Sequence, residues 1–183
     1  MPNEPLPCTH RRILLRRLRV DDLMAFQAYR CDPAVGRFQG WQVMSDAEAR
    51  AFLTDVNAAA LLQPGRWSQI AIALASDESL IGDIGLCVAE DGREAEIGFT
   101  LALGAQGQGL AREAVTAALR LVFAQTVVER IVAITDTRNL PSLRLLERLG
   151  MEKIRTQQVV FQGEPCTEDV FAMTRGRADS EPG

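Results

Sequence analysis

The sequence contains very few of the residues on which most nucleophilic and metal-dependent chemistry relies. His10 is the only histidine, so the chain lacks the parts for a Ser-His-Asp triad or a His-ligated zinc site. The four cysteines are scattered and include no C-x-x-C pair, which predicts reduced thiols rather than a disulfide framework or a zinc site. We therefore expect an active site that uses no metal.

Clusters of positive charge and long apolar runs are also missing. Lys153 is the only lysine among 20 basic residues, the arginines are spread along the chain, and the net charge is −4. This distribution predicts that nucleic acid is not a partner. No apolar run approaches the roughly 20 residues that span a bilayer, and the N-terminus has no apolar signal core. We therefore expect a cytoplasmic protein of bacterial type that does not associate with membranes.

Length and composition predict one globular domain. The chain has 183 residues, of which 47% are hydrophobic and 24% are charged. A domain of this size buries roughly 70% of the surface of its unfolded chain, so it folds without disulfides. The proline-rich residues 1–10 and the polar residues 175–183 predict flexible tails on a domain that spans residues 11–174.

Hydrophobic periodicity and turn residues predict a mixed sheet with about four helices. The predicted strands are 13–18, 67–75, 79–88, 94–103, 130–135, 151–160 and 168–173. The predicted helices begin at Asp21 or Asp22, Ser45, Ala111 and Asn139, with a loop over 31–44. This order predicts a single α/β (α+β) domain whose sheet is mostly antiparallel. Trp67, at the start of a strand, is expected in the core.

A glycine-rich turn joins the predicted strand 94–103 to the helix that begins at Ala111. Gly104, Gly107 and Gly109 allow the backbone to bend and a ligand to approach the amides closely. The first turn of the helix offers unpaired N–H groups and the positive end of the helix dipole. The loop therefore predicts a phosphate or pyrophosphate site, to which the Gln106 side chain can add a donor.

Two other interpretations of this loop stay open at this point. The glycines can simply form a tight turn between strand and helix. The loop can also be a dinucleotide-binding fingerprint, because Glu129 lies at a suitable distance along the chain for a ribose contact. Glu129 precedes the next strand rather than ending it, however, and three antiparallel strands precede the loop, which argues against a dinucleotide fold.

A second motif lies at the predicted helix start in TRNLPSLRLLERLGM, with Asn139, Ser142, Glu147 and Gly150 at fixed spacing. The glycine loop, a helix, a buried strand and this motif, in that order, resemble the GNAT acetyltransferase superfamily over roughly residues 12–174. The segment RRILLRRLRVDD and the strand AEIGF are similar to the ribosomal-protein N-terminal acetyltransferase branch of the RimJ/RimL type.

The resemblance implies a GNAT-like fold in which the strands 94–103 and 130–135 splay into a central V. It implies that acetyl-CoA lies in this gap, with its pantetheine arm along the first strand and its pyrophosphate on the glycine loop. The residues implied to bind acetyl-CoA are Phe99, Thr100, Leu101, Gln106, Gly107, Gln108, Gly109, Leu110, Ala111, Asn139 and Ser142.

The resemblance also implies direct transfer of the acetyl group to an amine. Glu96 is then the implied proton acceptor, with Glu94 on the same face, and Ser142 the implied proton donor to the thiolate; the alternatives are a solvated pair of carboxylates and a helix cap. The tyrosine that many members place after the second motif is missing, because Tyr29 is the only tyrosine. A CoA-binding sensor or scaffold protein is therefore a second hypothesis.

The acceptor side is implied to lie in the loop between the first two helices. There, Arg37, Phe38 and Trp41 are the expected wall of the acceptor pocket. The expected acceptor is a primary amine, on a small molecule or at a peptide N-terminus, and the expected assembly is a monomer or homodimer.

Overall fold

A computed structural model describes residues 5–178, through which an eight-stranded sheet runs. The strands are β1 Cys8–His10, β2 Ile13–Arg17, β3 Trp67–Leu74, β4 Leu80–Val88, β5 Glu94–Leu101, β6 Arg130–Asp136, β7 Glu152–Phe161 and β8 Glu164–Thr174. Their order in the sheet is β1-β2-β3-β4-β5-β6-β8-β7. Neighbouring strands are antiparallel except β5 and β6, which are parallel. The predicted mixed, mostly antiparallel sheet is confirmed.

Six α-helices flank the sheet in the described residues. They are α1 Leu23–Arg30, α2 Pro33–Gly36, α3 Asp46–Ala58, α4 Leu110–Gln125, α5 Leu140–Arg148 and α6 Arg175–Ala178. The four predicted helices correspond to α1, α3, α4 and α5. The short α2 lies inside the predicted loop 31–44, where the Asp32 side chain accepts a hydrogen bond from the backbone N–H of Ala34 and so caps the helix.

Both predicted tails are shorter than their sequence suggested. Residues 8–10 pair with β2 as an edge strand, and the Leu6 side chain is buried. At the other end, α6 begins at Arg175, whose guanidinium donates to the backbone carbonyls of Thr126 and Val128. These tertiary contacts override the local polar and proline-rich composition. The rest of each predicted tail, 1–4 and 179–183, lies outside the described residues.

Two apolar cores cover the two faces of the sheet. On one face, α4 and α5 pack against the central strands through buried residues such as Ala118, Val122 and Leu146. On the other face, α1 and α3 pack around Phe26 and Leu53. The helices on both faces hold β5 and β6 in the middle of the molecule, where the site lies.

The parallel strands β5 and β6 separate after three paired positions, of which the last joins Glu96 to Val132. Beyond this point β5 continues to Leu101 along β4, while β6 continues to Asp136 along β8. The facing edges of the two strands therefore carry backbone N–H and C=O groups that no strand pairs. The predicted V-shaped splay is confirmed.

Candidate active site

A cleft of about 1010 Å³ occupies the gap between the diverging strands. Its walls include the successive β5 residues Ile97 to Leu101 and the successive β6 residues Ala133 to Asp136. Because successive strand residues point to opposite faces of a sheet, the cleft opens onto both faces. One opening faces α4 and α5, and the other faces α2 and the end of the β7–β8 hairpin.

The glycine loop borders the first opening and has the backbone conformation that its sequence predicts. Gly107 and Gly109 have φ angles of 74° and 81°, in the left-handed region that other residues rarely adopt. Gly109 is the N-cap of α4, so the first amides of this 16-residue helix point out of the loop without helical partners. A Cβ atom added at Gly107 would meet nothing within 4 Å, so the loop leaves open space above its backbone.

Side chains within the loop hold it against the strand that precedes it. The Gln106 amide donates to the carbonyl of Leu101 at 2.9 Å, and the Gln108 amide donates to the carbonyl of Gly104 at 2.7 Å. The Gln106 side chain, predicted as a donor to phosphate, is engaged with the end of β5 in the structure. Two of the predicted loop residues, Gln108 and Leu110, do not line the cleft, and Leu110 is buried in the core.

Arg12 ties the turn between β1 and β2 to the start of α4. Its guanidinium donates to the Glu113 carboxylate at 2.5 and 3.0 Å, and to the carbonyl of Gln108 at 2.9 Å. The backbone N–H of Arg12 donates to the same carboxylate. The loop is therefore fixed from a turn that lies about a hundred residues earlier in the chain, and no local sequence pattern indicates this contact.

The second motif forms the start of α5, on the same side of the cleft as the glycine loop. The Asn139 side-chain oxygen accepts a hydrogen bond from the backbone N–H of Ser142 at 3.4 Å, and Pro141 lies in the first turn. Asn139 and Ser142 both line the cleft. The cap uses the backbone of Ser142, so the Ser142 hydroxyl is not needed for it.

Glu96 lies at the apex of the V, where the strands begin to separate, but it is not among the residues that line the cleft. Burial raises the pKa of its half-buried carboxyl group, and the carboxylates of Glu168 and Glu94 raise this pKa further. Glu94 differs from Glu96 because it forms an ion pair with Arg130, with a distance of 2.6 Å from the arginine Nε. The raised pKa of Glu96 is the kind of perturbation that proton transfer favours.

β6, the opposite arm of the V, carries a second carboxylate, Asp136, whose pKa is lowered rather than raised. The Arg138 guanidinium donates to Asp136 at 2.6 and 2.9 Å, and this hydrogen bonding holds the pKa of Asp136 below its usual value. The positive charge of Arg37 also lowers the pKa of Asp136. Asp136 therefore stays ionised, which makes it unsuited to exchange a proton near neutral pH.

The predicted acceptor residues divide into two groups. Arg37 and Phe38 line the cleft, whereas Trp41 is not among the lining residues. The Trp41 ring instead covers the guanidinium of Arg30, whose carbon lies 4.0 Å from the ring centroid. This guanidinium is buried and donates to the equally buried Asp83 carboxylate at 2.5 Å. Trp41 thus packs behind the cleft wall.

The tip of the β7–β8 hairpin meets the segment that follows α2. The Gln162 amide donates to the carbonyl of Gln39 at 3.1 Å, and a Cβ atom added at Gly40 would lie 3.9 Å from the Phe161 ring. Gln39 and Phe161 both line the cleft. Two segments more than a hundred residues apart therefore form part of the rim of the second opening.

Several cleft residues escaped prediction from the sequence. They include Gln39, Arg112, Arg144, Arg148, Phe161 and Glu168. Arg144 and Arg148 were detectable in principle, because residues four apart share one face of the helix that Asn139 begins. The others come from the hairpin, from α4 and from the loop after α2, and only the tertiary fold brings them together.

The described residues contain neither a metal-binding cluster nor a helix suited to cross a membrane. Within residues 5–178, no group of three or more His, Cys, Asp or Glu side chains is arranged to hold a metal ion. None of the helices in this part of the chain has the length and apolar character of a membrane span.

A splayed sheet with a glycine loop and a helix start beside the gap is typical of a class of acyl-group transferases, and the comparison with protein families identifies which one. The family model described as "Acetyltransferase (GNAT) domain" matches residues 12–152, and the chain belongs to this family. It is therefore an acetyl-CoA-dependent N-acyltransferase.

Individual relatives agree with this assignment. The chain is 29% identical over 169 residues to the uncharacterized N-acetyltransferase YoaA of Bacillus subtilis (strain 168), covering 91% of this chain and 95% of that protein. The crystal structure of a GNAT-family acetyltransferase from Bacillus anthracis superposes with a TM-score of 0.81 at 23% identity, covering 92% and 98% of the two chains. A Vibrio cholerae spermidine N-acetyltransferase, solved with CoA and spermine, superposes with a TM-score of 0.79 at 17% identity, covering 93% and 99%. These two structures share the fold.

Proposed function

We propose that the cleft transfers the acetyl group of acetyl-CoA directly to a primary amine. One observation carries the proposal: the unpaired edge of β5 runs straight into a helix start built to bind an anion. An extended chain with amide groups and a diphosphate at its far end has the hydrogen-bonding groups and the charge that fit this arrangement. Acetyl-CoA is such a molecule.

The donor enters from the face of the sheet that carries α4 and α5. Of the three β5 residues implied to bind the donor, Phe99 and Leu101 direct backbone groups towards the gap, whereas the Thr100 carbonyl faces β4 and the Leu101 carbonyl already accepts from Gln106. The amides of residues 106–111 and the helix dipole hold the pyrophosphate. Asn139 faces the same passage from α5 and is proposed to hydrogen-bond the pantetheine.

The acceptor enters from the opposite face, between α2 and the β7–β8 hairpin. Arg37 and Phe38 form one wall of this opening, and Trp41 supports the wall through its contact with Arg30. The two reactants then meet inside the sheet, where holding them in line supplies several kcal/mol of the rate acceleration. A backbone N–H of the splayed β5 edge stabilises the developing oxyanion.

Two side chains carry the protons in this scheme. The amine nitrogen attacks the thioester carbon, the C–S bond breaks, and the nitrogen loses a proton to Glu96, directly or through water. The departing sulfur receives a proton from the Ser142 hydroxyl, whose oxygen takes up a proton from water in turn, and Glu96 releases its proton to solvent before the next cycle. The raised pKa of Glu96 supports its role, since a base with a pKa closer to neutral pH accepts a proton more readily than an ordinary carboxylate.

The acceptor is proposed to be a peptide N-terminus, as in the RimJ/RimL branch, or a small-molecule amine, in a cytoplasmic monomer or homodimer. The solved spermidine N-acetyltransferase supports including polyamines among the amines tested. The second candidate, a CoA-binding sensor or scaffold, is favoured by Tyr29, the only tyrosine, because its ring is buried in the core between α1 and α3.

The test measures donor binding and transfer separately. Millimolar acetyl-CoA is expected to raise the melting temperature, because a ligand that binds only the folded state stabilises it. An unchanged melting temperature contradicts the donor site. A screen of amines, polyamines and peptides then follows the release of free CoA thiol. Tight binding without thiol release in the whole screen would favour the sensor over the enzyme.

A further inference from the structure

Trp67 is exposed on the sheet face where the acceptor is proposed to enter. Although the sequence predicts a core residue, 52% of its surface is accessible. The ring lies over Gly85 of the neighbouring strand, where an added Cβ atom would be 3.2 Å from two ring carbons. Gly85 is buried as a result. An indole that covers a glycine and leaves half its own surface in solvent offers a flat apolar wall.

The Trp67 ring lies beside the cleft, although Trp67 and Gly85 are not themselves among the residues that line it. Gly85 pairs with Gly98 on β5, and Gly98 lines the cleft. Gly98 is exposed, and a Cβ atom added there would meet nothing within 4 Å. A glycine inside a strand weakens the strand and often marks the close approach of a ligand. The open floor over Gly98 therefore lies about 5 Å, one strand spacing, from the glycine that the Trp67 ring covers.

The open space over Gly98 also lies close to Glu96, the proposed base. Alternate strand residues share a face, so Glu96 and Gly98 point to the same side of β5, and Cys87 pairs with Glu96 between it and Trp67. Glu168, whose charge acts on Glu96, also lines the cleft. An ammonium group is attracted to this acidic end, and the carbon skeleton attached to it can lie over Gly98 against the indole.

We propose that Trp67 determines acceptor specificity, and that the preferred acceptor is a primary amine with an aromatic or apolar group close to its nitrogen. The inference rests on the proposed acetyl transfer. Its physical basis is that a flat hydrophobic group over Gly98 buries apolar surface of both itself and Trp67, whereas a small polar amine gains nothing there.

The experiment compares two amines of similar length, 2-phenylethylamine and ethanolamine, in thiol-release kinetics with the full chain. The wild type is expected to prefer 2-phenylethylamine. Trp67→Ala is expected to lower kcat/KM for this amine by about tenfold, equivalent to about 1.4 kcal/mol, with little change for ethanolamine. Trp67→Phe keeps a flat ring and is expected to retain most of the preference.

Two further variants separate specificity from folding. Met24→Ala removes another exposed apolar side chain, on α1, and is expected to leave the preference unchanged. Gly98→Val fills the open floor and is expected to reduce the preference for 2-phenylethylamine. The melting shift with acetyl-CoA, measured for every variant, reports whether the fold and the donor site are intact.

The failures of the two proposals are distinguishable. A wild type that prefers ethanolamine, or that acetylates other amines of the screen but neither of these two, would overturn the role of Trp67. So would a Trp67→Ala variant with an unchanged ratio between the two amines. A wild type that shows neither an acetyl-CoA melting shift nor transfer to any amine contradicts the proposed function itself.

Discussion

Glu96 and Val132 are the last residues at which β5 and β6 pair, and the two strands diverge immediately beyond them. Glu96 therefore lies where the two strands begin to separate, next to the cleft-lining Ile97, on a rigid strand that β4 holds on its other side. A base in this position is fixed by the sheet rather than by a mobile loop, which favours accurate placement against a reacting nitrogen.

Replacing Glu96 by glutamine is expected to lower kcat by at least about 100-fold, the lower end of the range for general base catalysis. Glu94→Gln is the matched control, because Glu94 lies on the same strand face but is paired with Arg130. Steady-state kinetics and acetyl-CoA titration check both variants. Equal losses in the two variants, or loss of acetyl-CoA affinity in Glu96→Gln, would contradict the assignment of Glu96 as the base.

The direction in which kcat/KM and stability change with pH follows from the raised pKa of Glu96. Burial and neighbouring carboxylates raise the pKa of Glu96 above its usual 4.5, and only the ionised form accepts a proton. We expect kcat/KM to rise as the pH increases past the raised pKa of Glu96. The Glu96→Gln variant is expected to lack this rise. Because the folded state holds the Glu96 proton more tightly than the unfolded state, stability falls as pH rises between the two pKa values. Glu96→Gln is therefore expected to melt no lower than the wild type at neutral pH.

Replacing Gly109 by valine is expected to weaken acetyl-CoA binding by on the order of tenfold or more, because the loop amides then leave the pyrophosphate site. The left-handed backbone also strains the variant by roughly 1–2 kcal/mol. Gly92→Val is the control, since Gly92 has a similar φ of 72° in the turn between β4 and β5. Calorimetric titration distinguishes them, and retained affinity in Gly109→Val refutes the loop assignment.

Replacing Ser142 by alanine separates the two roles of this residue. The helix cap uses the backbone N–H of residue 142, so thermal stability is expected to stay close to that of the wild type. If the hydroxyl protonates the departing sulfur, kcat falls by at least about tenfold. Asn139→Ala, which removes the cap itself, is expected to lower stability by about 1 kcal/mol. An unchanged kcat in Ser142→Ala leaves the hydroxyl without a catalytic role.

The Arg30–Asp83 pair is buried on both sides, with side chains 8% and 3% exposed. Asp83→Ala leaves the guanidinium without its charge partner, so the free energy of unfolding is expected to fall by about 3–5 kcal/mol in urea denaturation. Arg19→Ala breaks the exposed Arg19–Glu78 pair and is expected to cost at most about 1 kcal/mol. Similar losses in the two variants would show that burial does not determine the contribution of this pair.

Local pattern was sufficient for most of the fold. The strand and helix positions follow from periodicity, and the glycine loop follows from three glycines placed between a strand and a helix. The helix starts at Ser45 and Asn139 were readable because each cap is a contact between residues three apart. Arg37 and Phe38 line the cleft as the resemblance implies. All of these features depend on neighbours within a few residues or on the order of elements along the chain.

The sequence by itself determined the order of the main strands and helices, the glycine loop at the start of α4 and the class of reaction. Only the tertiary structure decided which side chains surround that loop and the acceptor opening. The contact of Arg12 with Glu113 and that of Gln162 with Gln39 each join residues more than a hundred positions apart. Trp67 was expected in the core because it begins a strand, but 52% of its surface is accessible, and the residue beneath its ring is Gly85, which has no side chain to pack against it. The burial of a residue depends on the side chains that neighbouring strands place beside it. Local periodicity does not identify those side chains, because they come from distant parts of the sequence.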